Sequence, residues 1–333
     1  MTTRSEVTAT LVPALLLCGA ALGPHGLAVL TPSVLAFLDP ATPVALAVFG
    51  ILAAMRIETT DGATGSVATA ALQATVTGTI VAAAFLFFAP NASTGEPFSG
   101  WSVAAIALGV AAATSLDAED CIVPVIVGGL LLAFVRQSSG GAALLFTLET
   151  GMIAALIAAS GWLLLSRTSA VDDQRVSAFG SALLLGGAAD YLSMSALLFG
   201  LTAGGCWRLA NSAIREHIQR DVAYVAHSLL AVVLVVAGAH ATFSSPVFAI
   251  AVGYLVLRMS GKLAGYWLAA RVFPSSQRPS TQLLMTPGAF GVAFALNMVR
   301  AMGVDFTPVL TIVVIGTVAS SFFAALLPRE GDA

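Results

Sequence analysis

Apolar runs of roughly 15 to 25 residues follow one another from near residue 8 to residue 327, separated by short polar joins. A run of about 20 residues coiled as a helix matches the hydrocarbon thickness of a bilayer. A helix also bonds its own backbone polar groups, as hydrocarbon demands. Repeated runs of this length predict an all-α polytopic membrane protein. Only 9% of the 333 residues are charged and 58% are hydrophobic, and the mean hydropathy is +0.94. A soluble domain carries about 25% charged residues, so these charges are too few to solvate a globule.

The net charge of −3 comes with no basic stripe, which excludes a nucleic-acid partner and leaves the lipid bilayer as the expected one. Cys18, Cys121 and Cys206 each lie in or beside an apolar run and read as small buried residues rather than a disulfide or metal set. Residues 1 to 23 have the outline of a leader, but Leu17 before Cys18 and the acidic Glu6 argue against cleavage. His25, His227 and His240 share no ligand spacing, and no nucleophile motif is present. Neither an enzyme nor a resident metal or cofactor is expected.

Twelve spans are predicted, at about 8–23, 34–55, 66–89, 101–115, 121–135, 142–166, 176–189, 191–207, 222–240, 246–270, 281–299 and 307–327. Segments 101–115 and 121–135 are short and could be one interrupted helix or two helices meeting in a tight acidic hairpin. Counting two leaves nearly all arginines on one side, with Arg136 and Arg300 on the other. The positive-inside rule then favours two helices and both termini in the cytoplasm. Residues 208–221, RLANSAIREHIQRD, alternate basic and apolar positions. They read either as a cytoplasmic amphipathic helix linking two halves or as a charged loop.

A charge at the centre of a membrane helix costs about 2.5–3.5 kcal/mol on insertion scales, so each one needs a partner, a cavity or a role. Arg258 stands at the centre of span 246–270 and Lys262, the only lysine, follows four residues on, on the same helical face. Arg258 is expected to be buried and paired. Lys262 either joins it or snorkels to the cytoplasmic interface. Glu149 is the one acid inside span 142–166 and the natural counter-ion of Arg258, as a structural tie or part of a proton path.

The turn TSLDAED gathers Thr114, Ser115, Asp117, Glu119 and Asp120. Its oxygens suit a hard monovalent cation, and crowded carboxylates raise one another's pKa. The plain reading is a hydrated loop. Thr286, Pro287 and Gly288 interrupt another apolar span, where proline removes a backbone donor and frees carbonyls. Two interrupted helices in the two halves of a chain point to a transporter's binding site. A simple proline kink is the plain alternative.

Several stretches resemble the monovalent cation:proton antiporter superfamily, in its Na⁺/H⁺ antiporter-like branch of the Kef/NapA type. GAALGPHGLAVL (19–30), ALAVFGILAAMRIE (45–58) and AALQATVTGTIVAA (70–83) resemble its early helices. ALGVAAATS (107–115) and EDCIVPVIVGGLLLAF (119–134) are similar to the helices bearing its Thr-Ser or Thr-Asp site and its acidic pair. GGAADYLSMSALLFGLTAGG (186–205), LRMSGKLAGYWLAARV (257–272) and the TPGAF stretch complete the series in order. Each match alone is weak, and the order and spacing give the resemblance its specificity.

The resemblance implies inverted repeats whose interrupted helices cross, with a moving core held by a dimerisation domain. In this reading a single transmembrane domain, 1–333, holds a first repeat at 1–137, connecting helices at 138–207, the linker at 208–221 and a second repeat at 222–330. It further implies a homodimer in a bacterial inner membrane and exchange of a monovalent cation, Na⁺ first with K⁺ or Li⁺ as alternatives, for protons. Asp120 would bind cation and proton in competition, with Glu119 at the partner position. Thr114 and Ser115 would lend oxygens, Arg258 or Lys262 would be the conserved base, and Glu149 the acid that pairs with an arginine. One departure stands out: only Leu116, Asp117 and Ala118 separate Ser115 from Glu119, where the family has roughly a helical hairpin. That shortening motivates a second reading, a non-transporting scaffold or sensor serving a partner subunit.

Overall fold

A computed structural model describes residues 2–56, 63–88, 100–114, 118–137, 140–168, 170–210, 212–273 and 288–326. Thirteen α-helices occur among them: α1 (Thr2–Leu22), α2 (Pro32–Leu38), α3 (Ala41–Met55), α4 (Ala63–Phe88), α5 (Gly100–Ala113), α6 (Ala118–Arg136), α7 (Gly140–Arg167), α8 (Val171–Tyr191), α9 (Ala196–Trp207), α10 (Ser212–His240), α11 (Ser245–Val272), α12 (Ala289–Met302) and α13 (Thr307–Leu326). A short 3₁₀ turn, Val304–Phe306, precedes α13. Over its described residues every predicted span falls on a helix, span 281–299 being described only from Gly288. Span 34–55 divides into α2 and α3, which are bent by 43° at their join.

Among the described residues α4, α7, α10, α11 and α13 are long and apolar enough to cross a membrane, and α2 with α3 could do so as one bent span. Parts of α1, α5, α6, α9 and α12 form shorter apolar helices. With this many apolar helices the chain is an integral membrane protein. The stretch 208–221 differs from its expected form as a separate surface helix or loop. From Ser212 onward it is the opening of α10, which runs unbroken to His240. No proline or glycine stands between 212 and 237 to stop it.

The chain forms two compact units, and each is drawn from separate stretches of sequence. One comprises Val34–Ile57 and Val125–Val233. Its centre is α3, buried at every residue but its first and fourth, packed on α8 and α9, while α7 lies on the same two helices. Small residues bring α3 and α9 together. A Cβ at Gly200 would overlap the carbonyl of Ala47, and one at Gly204 would lie 2.5 Å from that of Ile51. Close backbone approach of this kind is a common way for membrane helices to gain packing where lipid supplies no hydrophobic drive. Trp207 adds a tie by donating its indole N–H to the Ala158 carbonyl of α7 at 3.2 Å. Between α8 and α9 the chain turns at Ser193, φ +49, and Ser195 caps α9 by accepting from the Leu198 amide.

The other unit comprises Met1–Ser33, Glu58–Pro124 and Leu234–Ala333. Here α4 packs on both α5 and α11, and α13 touches α1, α5, α11 and α12. Gly78 of α4 faces Gly109 of α5, while Gly261 and Gly265 of α11 lie against Thr77 and Gln73 of α4. Among the described residues α5 and α6 are distinct helical segments. Neither is a main packing neighbour of the other among the described residues. Residues 118–124 of α6 belong to this unit, yet α5 has α4, α11, α12 and α13 as its packing neighbours.

Candidate functional site

The site is built where α5 ends. An α-helix leaves its last carbonyls without intrahelical donors, and its aligned peptide dipoles place partial negative charge there. In water these carbonyls would be hydrated; here Ala113 and Thr114 are buried, with Thr114 only 2% exposed. Donors must therefore come from the protein. The Thr114 hydroxyl turns back on the Ala111 carbonyl at 2.8 Å, and the outermost oxygens are met from α11. Lys262 donates Nζ to the Ala113 carbonyl at 2.8 Å. Arg258 donates Nη2 to the Thr114 carbonyl at 3.3 Å.

The second guanidinium nitrogen of Arg258, Nη1, reaches the Ser320 hydroxyl of α13 at 3.4 Å. Ser320 in turn donates to the Gly316 carbonyl one turn earlier, at 2.5 Å. Arg258 and Lys262 are 3% and 2% exposed, which decides the question about Lys262: it does not reach out to an interface. Tyr254, 1% exposed, completes this face of α11, with its ring against Gly316 of α13. Spacings of four residues bring Tyr254, Arg258 and Lys262 onto one line.

The start of α12 arrives at the same place. Its N-cap, Gly288, is extended (φ −75, ψ 148), and Gly291 in the first turn faces the end of α5. A Cβ at Gly291 would stand 2.7 Å from the Thr114 hydroxyl and 3.0 Å from the Ala111 carbonyl. The positive end of α12 thus stands beside the negative end of α5, an arrangement in which the two dipoles attract. Of the break expected at Thr286, Pro287 and Gly288, only Gly288 is among the described residues, as the N-cap of α12; Thr286 and Pro287 lie outside them.

The sequence-predicted residues divide clearly. Thr114, Arg258, Lys262 and Gly288 belong to this locus. Ser115 and Asp117 lie outside the described residues. Glu119 and Asp120 are in the first turn of α6, and their side chains lie outside the described set. Glu149 is exposed on α7 in the unit of α3 and α9, and the guanidinium of Arg258 is instead met by a carbonyl and a hydroxyl of its own unit. A helix end bearing partial negative charge supplies acceptors to both bases. Ser320, Thr317 and Asn297 were not singled out from the sequence although all three are buried. A signal existed in the serine pair Ser320–Ser321 and in an asparagine within an apolar helix, since polar groups in such helices are kept where they bond or line a path. The side-chain nitrogen of Asn297 has no hydrogen-bond partner among the described residues.

No protein-family model matches the sequence. No curated protein matches it significantly. Among solved structures, the sodium proton antiporter MjNhaP1 from Methanocaldococcus jannaschii aligns over 95% of this chain and 92% of its own, with a TM-score of 0.67 and 14% sequence identity. At that identity the likeness is one of fold, and it extends across both compact units. The chain has the fold of a sodium proton antiporter.

Proposed function

We propose that the protein is a secondary transporter that exchanges a monovalent cation for protons, with Na⁺ the first candidate and K⁺ or Li⁺ the next. The observation that carries this reading is the meeting of the end of α5 with the start of α12 beside two buried bases. Ionisable groups are expensive to place in a membrane interior and are kept there for a role, and half-helix ends that converge on one point are the recurring means of holding an ion in hydrocarbon. Arg258 and Lys262 hold the carbonyls of α5 in place. The cation and the proton then compete for the carboxylate of Asp120, with Glu119, Asp117, Ser115 and Thr114 as neighbouring oxygen donors. The chemistry needs no resident cofactor and makes no covalent bond, so the protein is a carrier and not an enzyme. A homodimer in a bacterial inner membrane with both termini in the cytoplasm is the arrangement proposed.

The test is direct. Proteoliposomes holding the purified protein and an imposed pH gradient should lose the gradient when Na⁺ is added, and Asp120→Asn should abolish the response. No response to Na⁺, Li⁺ or K⁺ between pH 6 and 9 would overturn the proposal. The four-residue join between Ala113 and Ala118 favours one other reading, a non-transporting scaffold for a partner subunit. That reading requires an intact phenotype in the Asp120→Asn/Glu119→Gln double variant and co-purification of a stoichiometric partner.

A further inference from the structure

Two stripes run along opposite sides of α11. One is buried and carries Tyr254, Arg258 and Lys262. The other is exposed and carries Phe248, Val252, Val256, Leu263 and Trp267, followed by the exposed Arg271. The second stripe is apolar but for the exposed Ser260 and ends in an aromatic and a base. The guanidinium of Arg271 stands over the Trp267 ring, with Cζ 3.7 Å from the ring centroid. A cation–π contact uses the charge of the guanidinium and does not consume its N–H donors. Arg271 has no hydrogen-bond or ion-pair partner among the described residues.

Tryptophan beside arginine at the end of an apolar stripe is the chemistry of the membrane–water interface. We propose that Trp267 and Arg271 form a site for the phosphate of an anionic phospholipid, and that this site fixes the depth of α11 so that Arg258 stands at the bilayer midplane.

The distances support both halves of the proposal. Arg271 follows Arg258 by thirteen residues, about 20 Å of helix at 1.5 Å per residue. Half of a bilayer of about 40–45 Å, headgroups included, is the same length. Trp267 follows Arg258 by nine residues, about 14 Å, close to half of the ~30 Å hydrocarbon core. The indole thus falls at the edge of the acyl region and the guanidinium at the level of the phosphates. On the other side Ser245 precedes Arg258 by thirteen residues, so the helix is centred on Arg258. A headgroup phosphate held at one end keeps the buried bases from sliding toward either surface. This site does not depend on the proposed exchange activity.

The full chain in detergent is titrated with phosphatidylglycerol, phosphatidylcholine and inorganic phosphate, with bound lipid counted by native mass spectrometry. Phosphatidylglycerol should bind the wild type most tightly, and Arg271→Gln should weaken it by roughly tenfold or more, the scale of a lost charge-assisted hydrogen bond. Arg271→Lys should fall between the two, because it keeps the charge and loses the planar fork. In vesicles, brominated lipids should quench Trp267, read as the difference between wild type and Trp267→Phe, most strongly with bromine near the headgroup end of the acyl chain. Unchanged phosphatidylglycerol binding by Arg271→Gln overturns the site. Equal competition by inorganic phosphate makes it a free-anion site and overturns the lipid assignment. Strongest quenching from the chain ends overturns the depth assignment.

Discussion

Lys262 holds the carbonyl oxygen of Ala113 at 2.8 Å, and through that bond the only lysine of the chain closes the end of a helix that contributes to a different span. One turn away on α11, Arg258 does the same for Thr114. The two bases face the part of α5 where unbonded carbonyls and the helix dipole both call for positive charge. This accounts for two cations in an apolar helix without needing a carboxylate for each.

Replacing Lys262 by methionine keeps the length and apolar stem of the side chain and removes the donor. The Ala113 carbonyl then stays buried without that hydrogen bond. The cost should be about 1–3 kcal/mol of stability, read as a lower unfolding midpoint in detergent. An unchanged midpoint would mean the carbonyl finds another donor.

Arg258 bridges two groups, a carbonyl of the α5 end and a hydroxyl of α13. Arg258→Lys offers a single ammonium and cannot span both in the same geometry. A double-mutant cycle of Arg258→Lys with Ser320→Ala should give a coupling of about 0.5–1 kcal/mol. A coupling of zero would show that the 3.4 Å contact carries no energy.

Gly291→Ala puts a methyl against the Thr114 hydroxyl and the Ala111 carbonyl. Backbone on one side and a bonded hydroxyl on the other leave little room to yield, so the expected loss is about 1–3 kcal/mol, with transport reduced. Gly253→Ala is the control, since nothing lies within 4 Å of its would-be Cβ. It should be neutral or stabilise by up to ~1 kcal/mol.

Competition at one carboxylate has a kinetic signature. If Asp120 releases its proton before binding the cation, the apparent KM for Na⁺ should rise about tenfold per pH unit once the pH is below the carboxyl's pKa, with the maximal rate little changed. Initial rates in proteoliposomes at a series of pH values measure this. A KM independent of pH would remove Asp120 from the role.

Outside the spans, Arg175 of α8 grips Asp221 of α10 with two bonds, at 2.7 and 3.3 Å. The hydrogen bond to Asp221, then its charge, raise the Arg175 pKa above the ordinary arginine value. A base raised in this way contributes its stability at all pH values below the ordinary arginine range, and the contribution fades only above it. The pair is partly exposed, so its contribution is small and screened by salt. Arg175→Gln should lower the unfolding midpoint slightly at low ionic strength and not at 1 M NaCl.

The helices were legible because each depends on its own residues. An apolar run of the right length must coil to bond its backbone in lipid, and over their described residues all twelve predicted spans fall on a helix. The short joins were legible for the same reason. The continuity of α10 through 212–221 was also in the sequence, in the absence of any residue that would stop a helix there.

The partners of the charges were not legible. The sequence determined that Arg258 had to be buried and bonded, because nothing else reconciles a guanidinium with the middle of an apolar helix. It offered Glu149 as the partner, since counting side chains counts only formal charge. Only the tertiary structure brought the end of α5 to α11 and turned two backbone carbonyls into the acceptors. Carbonyl groups are the same at every residue, and which of them is left unbonded and buried is decided by where helices end and what packs on them.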